Sequence, residues 1–247
     1  MGYEFTSRVR YSECGQNEVL TYDHLADYFQ DCTVFHDASV GMGMRYWSDK
    51  QAMWVLTAWK ILIFDRPACG DLIRVRTDAI ECKGFRGLRN FTMRNEEGKL
   101  LAAAHTKWAL ISTENGRPGR ILPEEVDAYG HNQPLPIEEE RERIQVPEDA
   151  PKGDGIEVMP FYLDSNHHVN NAQYIKLIQD LIPEDFPIHT LRVSYQSSAT
   201  LGDVMYPRIA VGAHSITGAL ENADGNPFVI FEFRDCFSET DKNVAFL

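Results

Sequence analysis

The feature that most constrains this chain is that its order of elements comes twice. The first pass runs from a strand over residues 3–13 into a helix over 21–38, with Leu25, Tyr28, Phe29 and Cys32 at helical spacing. A largely apolar strand over 54–64 follows. Then Ile73, Val75, Thr77 and Ala79 alternate with Arg74, Arg76 and Asp78, the pattern of a half-buried strand. After a turn at Asn95-Glu96-Glu97-Gly98, residues 101–112 make a last strand, and Pro123 opens a short helix. Residues 130–155 are rich in Pro and Glu and read as a linker. Beyond it the order returns: a strand to Phe161, a helix over 172–182, then strands, the first alternating Leu191, Val193 and Tyr195 with Arg192, Ser194 and Gln196.

Landmarks align between the passes. Val19-Leu20-Thr21 pairs with Val169-Asn170-Asn171, Cys69-Gly70-Asp71-Leu72 with Leu201-Gly202-Asp203-Val204, and the hairpin Gly98 with Gly225, at offsets of 150, 132 and 127. A repeat this long is two domains of one β-α-β-β-β-β plan. One helix followed by four antiparallel strands suggests a sheet wrapped around the helix, the hot-dog arrangement. The second helix, carrying Ile175, Leu177, Ile178, Leu181 and Ile182, is apolar on most faces, as such a position requires. The expectation is an α+β double hot-dog: an N-terminal unit over 1–129, a linker over 130–154 and a C-terminal unit over 155–247.

Other function classes are narrowed by composition. The net charge of −13 argues against nucleic acid as partner. The longest apolar run, residues 52–64, is interrupted by Lys60 and too short to span a bilayer. Five scattered cysteines without a CxxC pair, and no opening signal sequence, predict a reduced cytoplasmic protein. Charge is uneven: residues 60–94 hold eight bases against four acids, so that segment is either a docking face for an acidic partner or a solvated sheet face.

The chemistry concentrates in Leu163-Asp164-Ser165-Asn166-His167-His168-Val169-Asn170-Asn171. In an extended segment Asp164, Asn166 and His168 share one face, bringing together a base or nucleophile, a polar anchor and a proton carrier. Asn170 is a good N-cap, and Gln173 is placed to close a capping box. The helix N-terminus at Asn170 and Asn171 then presents backbone N–H groups to a developing oxyanion. The competing reading is plain turn and cap chemistry. At the offset of 150, the first pass places Cys14, Gln16 and Glu18 at the three positions, so the trio occurs once.

These residues carry a family resemblance. Trp54-Val55-x-Thr57, Pro67-x-x-Gly70-Asp71, Lys107-Trp108, Arg120-Ile121-Leu122-Pro123-x-Glu125-Val126 and Leu163-Asp164-x-Asn166-x-His168-Val169-Asn170-Asn171-x-x-Tyr174 occur in order. Over nearly its whole length the chain resembles the plant-type acyl-acyl carrier protein thioesterases and their bacterial relatives. The resemblance implies hydrolysis of a fatty acyl thioester to free acid and carrier protein, the alternatives being acyl-coenzyme A hydrolysis on the same fold, a hot-dog hydratase or a non-catalytic acyl-binding module. Thioester hydrolysis itself requires no metal or redox cofactor. It also implies Asp164, Asn166 and His168 as active-site residues and an N-terminal half that shapes the acyl pocket. Plant members place Glu-Cys after a Tyr-Arg-Arg strand end, whereas here Tyr195-Gln196-Ser197-Ser198-Ala199 stands there. A cysteine nucleophile at that point is therefore excluded, and Ser198 can at most orient a water. Pocket candidates are the large apolar groups on the first helix and its exit, Phe29, Phe35, Met42, Met44 and Trp47. Acyl carrier proteins are acidic, so Arg74 and Arg76, extended by Lys83, Arg86 and Arg89, are candidates for carrier docking. Homodimer formation is left open.

Overall fold

The computed structural model describes residues 2–130, 132–140 and 142–246. Strand β1 (Tyr3–Arg8) leads through a 3₁₀ turn at Tyr11–Glu13 into helix α1 (Tyr22–Ser39) and the short α2 (Met44–Asp49). Four strands follow, β2 (Ala52–Ile63), β3 (Leu72–Lys83), β4 (Arg86–Asn95) and β5 (Leu100–Ser112), then α3 (Pro123–Tyr129). The second pass comprises β6 (Ile156–Glu157), a 3₁₀ turn at Pro160–Tyr162, α4 (Asn171–Gln179), β7 (Thr190–Tyr195), β8 (Val204–Val211), β9 (Ser215–Glu221) and β10 (Pro227–Arg234), closed by α5 (Glu239–Lys242).

All ten strands form one sheet in the order β1-β3-β4-β5-β2-β7-β10-β9-β8-β6. Each half has the same internal order, and the halves meet back to back where β2 runs antiparallel to β7. The alternation read in β3 holds: Ile73, Val75, Thr77 and Ala79 are buried, and Arg76 faces solvent. The first strand is shorter than expected because a 3₁₀ turn replaces its second half. Helix α4 stops at Gln179 rather than Ile182. Pro183 explains this, since the residues before a proline avoid the helical region.

Helices α1 and α4 lie against each other and fill the curl of the sheet. Along α1, Leu25, Tyr28, Phe29, Cys32 and His36 are buried at i, i+3, i+4, i+7 and i+11. Phe29 packs at ring-centroid distances of 6.1 Å from Trp59 and 5.1 Å from Phe91. Burying such a phenyl ring contributes about 2–3 kcal/mol.

The seam sets Lys60 opposite Arg192, two cations across one ladder. Like charges in that position repel, and Glu140 of the segment after α3, together with Glu232 of β10 and Asp241 of α5, neutralises them. No helix or strand runs through the described residues of 130–154, yet the segment is not a loose tether; His131 and Arg141 of the expected linker lie outside the described residues. Leu135 and Ile137 pack onto Leu62, Leu100, Ala103 and Val244. Lys60 Nζ donates to the Glu138 carbonyl at 2.8 Å and pairs with Asp241 at 2.7 Å. Arg192 pairs with Glu232 at 2.6 Å, and Arg234 with Glu140 at 2.9 Å. This strap crosses the face of the sheet opposite the helices. Beneath it lies a cavity of about 680 Å³ bordered by Lys60, His105, Lys107, Arg192 and Glu138–Glu140.

Candidate active site

The segment 163–169 is a tight turn, which corrects the extended reading. Leu163 and Val169 bridge as its two legs. The Asp164 N–H donates to the His168 carbonyl at 2.8 Å, and the His167 N–H to the Asp164 carbonyl at 3.1 Å. His167 adopts φ 61°, the left-handed conformation that closes the turn. Asp164 Oδ1 accepts from the backbone N–H of Asn166 at 2.7 Å and of His168 at 3.3 Å. Its Oδ2 takes a longer contact from Asn166 Nδ2 at 3.4 Å. The turn, rather than strand alternation, therefore brings Asp164 and Asn166 together. Asp164 and His168 are half-buried and Asn166 is exposed.

The chain leaves this turn directly into α4. Asn170 is the N-cap, its Oδ1 accepting from the Ala172 N–H at 2.9 Å. Gln173 does not close a capping box; its N–H donates to the Asn170 carbonyl instead. The turn is docked from its other side by the exit of β7. His168 bridges Thr200, the Val169 N–H donates to the Ala199 carbonyl, and the Ala199 N–H donates to Tyr174 Oη at 2.9 Å. Tyr195 Oη donates to the Asn171 carbonyl at 2.9 Å. Burial pushes the Tyr174 phenol up to about 12, keeping it a neutral hydrogen-bonding group. Ser198 is exposed one residue from Ala199, beside the motif. Tyr195, which ties β7 to the first turn of α4, went unread because its role depends on a contact between distant elements.

The hydrogen bonds also correct the alignment of the halves. In the first half the Gly15 N–H donates to the Val19 carbonyl and the Glu18 N–H to the Gly15 carbonyl. Cys14 bridges Leu20, and Glu18 has φ 61°. Each feature recurs 149 residues later, not 150. The position of Asp164 is therefore Gly15, that of Asn166 is Asn17, and that of His168 is Val19. The expected counterparts Cys14, Gln16 and Glu18 are each one residue off. The asparagine is common to both halves; the aspartate and histidine occur once.

The remaining candidates do not gather as expected. Phe29 belongs to the main core, and Met42 and Trp47 to a separate cluster with Ala79, Leu110, Ile121 and Tyr129. Phe35 and Met44 are 42% and 65% exposed. The five therefore do not line one cavity. A narrow crevice lies near Trp47, bordered by Trp54, Gly87, Trp108 and Tyr129.

On the basic face Lys83 and Arg86 are exposed and Arg74 is half-buried. Arg76 is held by Asp78 through two contacts of 2.8 and 2.7 Å. Arg89 does not extend this face. It shares strand parity with Phe91 and Met93 and points inward, 7% exposed, paired with Asp37 and stacked on Tyr129 at 4.9 Å. Burial raises the Asp37 carboxyl while Arg89 pulls it down.

Comparison with known proteins decides the family. The acyl-ACP thioesterase N-terminal domain matches residues 2–129, and the acyl-ACP thioesterase C-terminal domain matches residues 147–215. The chain belongs to the acyl-ACP thioesterase family. Among thioesterases of this family it is 22% identical over 237 residues to the chloroplastic palmitoyl-acyl carrier protein thioesterase of Gossypium hirsutum, covering 88% of this chain and 57% of that protein. It is 26% identical over 212 residues to the chloroplastic oleoyl-acyl carrier protein thioesterase 1 of Arabidopsis thaliana, covering 78% and 58%. The chain thus spans under two thirds of the length of these curated thioesterases. Its fold is that of the acyl-ACP thioesterase from Bacteroides thetaiotaomicron, with TM-score 0.87 at 21% identity over 94% of this chain and 97% of the other. The 12:0-ACP thioesterase from Umbellularia californica superimposes with TM-score 0.83 at 21% identity, over 94% and 96%. The double hot-dog expected from the repeat is the family's fold.

Proposed function

We propose that this chain hydrolyses fatty acyl thioesters of acyl carrier protein, releasing free fatty acid and carrier thiol. The observation that carries the reading is the asymmetry of the twin turns. The turn at 14–20 makes the same backbone hydrogen bonds with Gly15 and Val19 in place of aspartate and histidine. Asp164 and His168 are thus not required by the backbone, and they stand at the mouth of the helix with the capped N-terminus.

In this reading the substrate carbonyl sits at the start of α4, where the Asn171 N–H and the helix dipole stabilise the oxyanion, the Asn170 N–H being taken by the Tyr162 carbonyl at 2.9 Å. Asp164, with Oδ1 fixed by two N–H groups, uses Oδ2 to take a proton from water as the water oxygen attacks the carbonyl carbon. The carbon–sulfur bond breaks, and the proton taken up by Asp164 passes by way of His168 to the departing thiolate, returning both side chains to their starting state. Asn166 anchors the ground state, and Ser198 orients the water. The chemistry resides in the unit over 155–247, with 130–154 as connecting strap. The unit over 1–129 supplies the acyl pocket, with Met42 and Trp47 packed against Trp54 beside the crevice. Among the described residues no helix is long and apolar enough to cross a membrane, and all five cysteines are free thiols, which supports action in a reducing, cytoplasmic setting.

The test is a panel of acyl-carrier and acyl-coenzyme A thioesters of graded chain length, followed with a thiol-detecting reagent. Thiol release is expected from carrier-bound fatty acyl chains, with kcat/KM higher than for the matching coenzyme A esters. No thiol release from any of them overturns the proposal. Turnover in ¹⁸O-water with label found on Asp164 would replace general-base chemistry by direct attack.

A further inference from the structure

The N-terminal half reaches into this site at one point. Gln30, half-buried on α1, faces the two residues that begin α4. Its Nε2 approaches Asn170 Oδ1 at 3.5 Å and Asp27 Oδ1 at 3.4 Å, and its Oε1 accepts from Asn171 Nδ2 at 3.1 Å. The orientation of all three amides follows from one fixed donor. The Ala172 N–H points at Asn170, so the atom it meets must be the oxygen Oδ1. That oxygen requires a donor from Gln30, which places Nε2 there and leaves Oε1 for Asn171. Both hydrogens of Nε2 and the oxygen of the side chain are then engaged.

We propose that Gln30 is a positioning residue: it clamps the Asn170–Asn171 entrance of α4 so that the Asn171 N–H is held ready for the oxyanion. This rests on the catalytic reading of that entrance. The second observation is again an asymmetry. Gln179 lies nine residues after its N-cap, as Gln30 does after Thr21, and so occupies the same place in the other half. Gln179 Oε1 is buried without a hydrogen-bond partner, and Thr21 bonds His24 within its own helix at 2.8 Å. The cross-helix clamp is thus built only onto the helix entrance that follows Asp164 and His168. Asp27, which receives the second Nε2 hydrogen, keeps Gln30 from swinging away. Its surroundings are Asp23, His24 and Asp31 on α1, Glu13 of the preceding turn and Tyr195 of β7. The position of Asp27 corresponds to the exposed Lys176, so this support too is found in one half only.

The test compares Gln30→Leu with wild type by amide hydrogen exchange and by steady-state hydrolysis of an acyl-carrier thioester. The clamp predicts exchange at the Ala172 amide faster by about tenfold, with the β2–β7 ladder unchanged. It also predicts kcat lower by about tenfold with KM within twofold, the mark of lost orientation rather than lost binding. Unchanged exchange at Ala172 overturns the clamp, and faster exchange with unchanged kcat overturns its catalytic role. A uniform rise in exchange over the whole sheet would make Gln30 a core residue and also overturn it. Should wild type hydrolyse no acyl thioester, the functional reading falls with it, and the clamp stands or falls on the exchange at Ala172 alone.

Discussion

The turn at 14–20 and the turn at 163–169 are the same backbone object with different side chains. Both follow a 3₁₀ turn, close through a residue at φ 61° and hand the chain to a helix, whose N-cap side chain bonds the helix backbone only in the second half. One holds Gly15 and Val19, the other Asp164 and His168. The comparison separates what the fold needs from what a reaction needs. A turn that forms around glycine shows that the carboxylate hydrogen bonds at 164 are optional for the backbone.

The largest effect expected from this comparison is at Asp164. Substituting the residue its twin already uses, Asp164→Gly, should lower thioester hydrolysis by about a hundredfold or more, the lower range for a general base. The thermal midpoint should fall by only a few degrees. Loss of folding instead of activity, read by circular dichroism, would mean the carboxylate is a structural part of the turn.

A smaller effect tests whether the half without the chemistry supplies the partner surface. Arg74→Glu combined with Arg76→Glu should reduce kcat/KM for carrier-bound substrate several-fold and flatten its salt dependence, since exposed charges act through encounter. A short acyl-coenzyme A should be unaffected. Asp78 already holds Arg76, so the loss falls mainly on Arg74. Equal changes for both substrates would return the basic strand to a solvated face.

Asp27 should show a stability effect with a defined sign. Burial raises its carboxyl from 3.8 to about 6, so the folded protein binds this proton more tightly than the unfolded chain does. Stability from this group is therefore complete below about pH 4 and is lost as pH rises through 6. Asp27→Asn should raise the melting temperature by a few degrees at pH 8 and leave it unchanged near pH 4. Equal shifts at both pH values would mean the charge is not the cause.

The smallest effect expected is none. Gly15→Asp with Val19→His copies the chemical residues into the first turn. A Cβ at Gly15 meets only side-chain atoms at 3.4 Å, so the fold should tolerate it within about 0.5 kcal/mol. Hydrolysis should not rise, because Gln179 makes no matching clamp there. New activity surviving Asp164→Gly would show that the turn alone suffices.

Much of this was legible beforehand, and the misses have physical causes. Gly70 and Gly202, like Gly98 and Gly225, mark φ values near +85° in both halves, so the strand landmarks aligned at the correct offsets. The helix entrances slipped by one because Glu18 and His167, the left-handed residues that fix the register, carry no glycine signature. Asp164 read as part of an alternating strand because its side chain, bonding to its own backbone, builds a turn that periodicity does not see. Arg89 was legible and misassigned: parity with Phe91 and Met93 puts it inside. Gln30 had no local signal, since its partners lie 140 and 141 residues away.

The β2–β7 seam has a consequence for synthesis. Among the described residues this ladder alone joins the two half-sheets, and its strands are separated by about 130 residues. At translation rates of roughly 5–20 residues per second, β2 waits on the order of ten seconds for its partner. Through that interval Ile61, Leu62 and Ile63 form a bare apolar edge, a template for pairing with another nascent chain. Lys60 lies in the middle of the stretch Ala58–Leu62 that will pair with β7. While β2 waits, its charge discourages a second copy from docking; once β7 and α5 arrive, Asp241 joins Glu138 and Glu140 of the strap around it. The same ammonium group that guards the unfinished sheet becomes, on completion, the anchor of its cover.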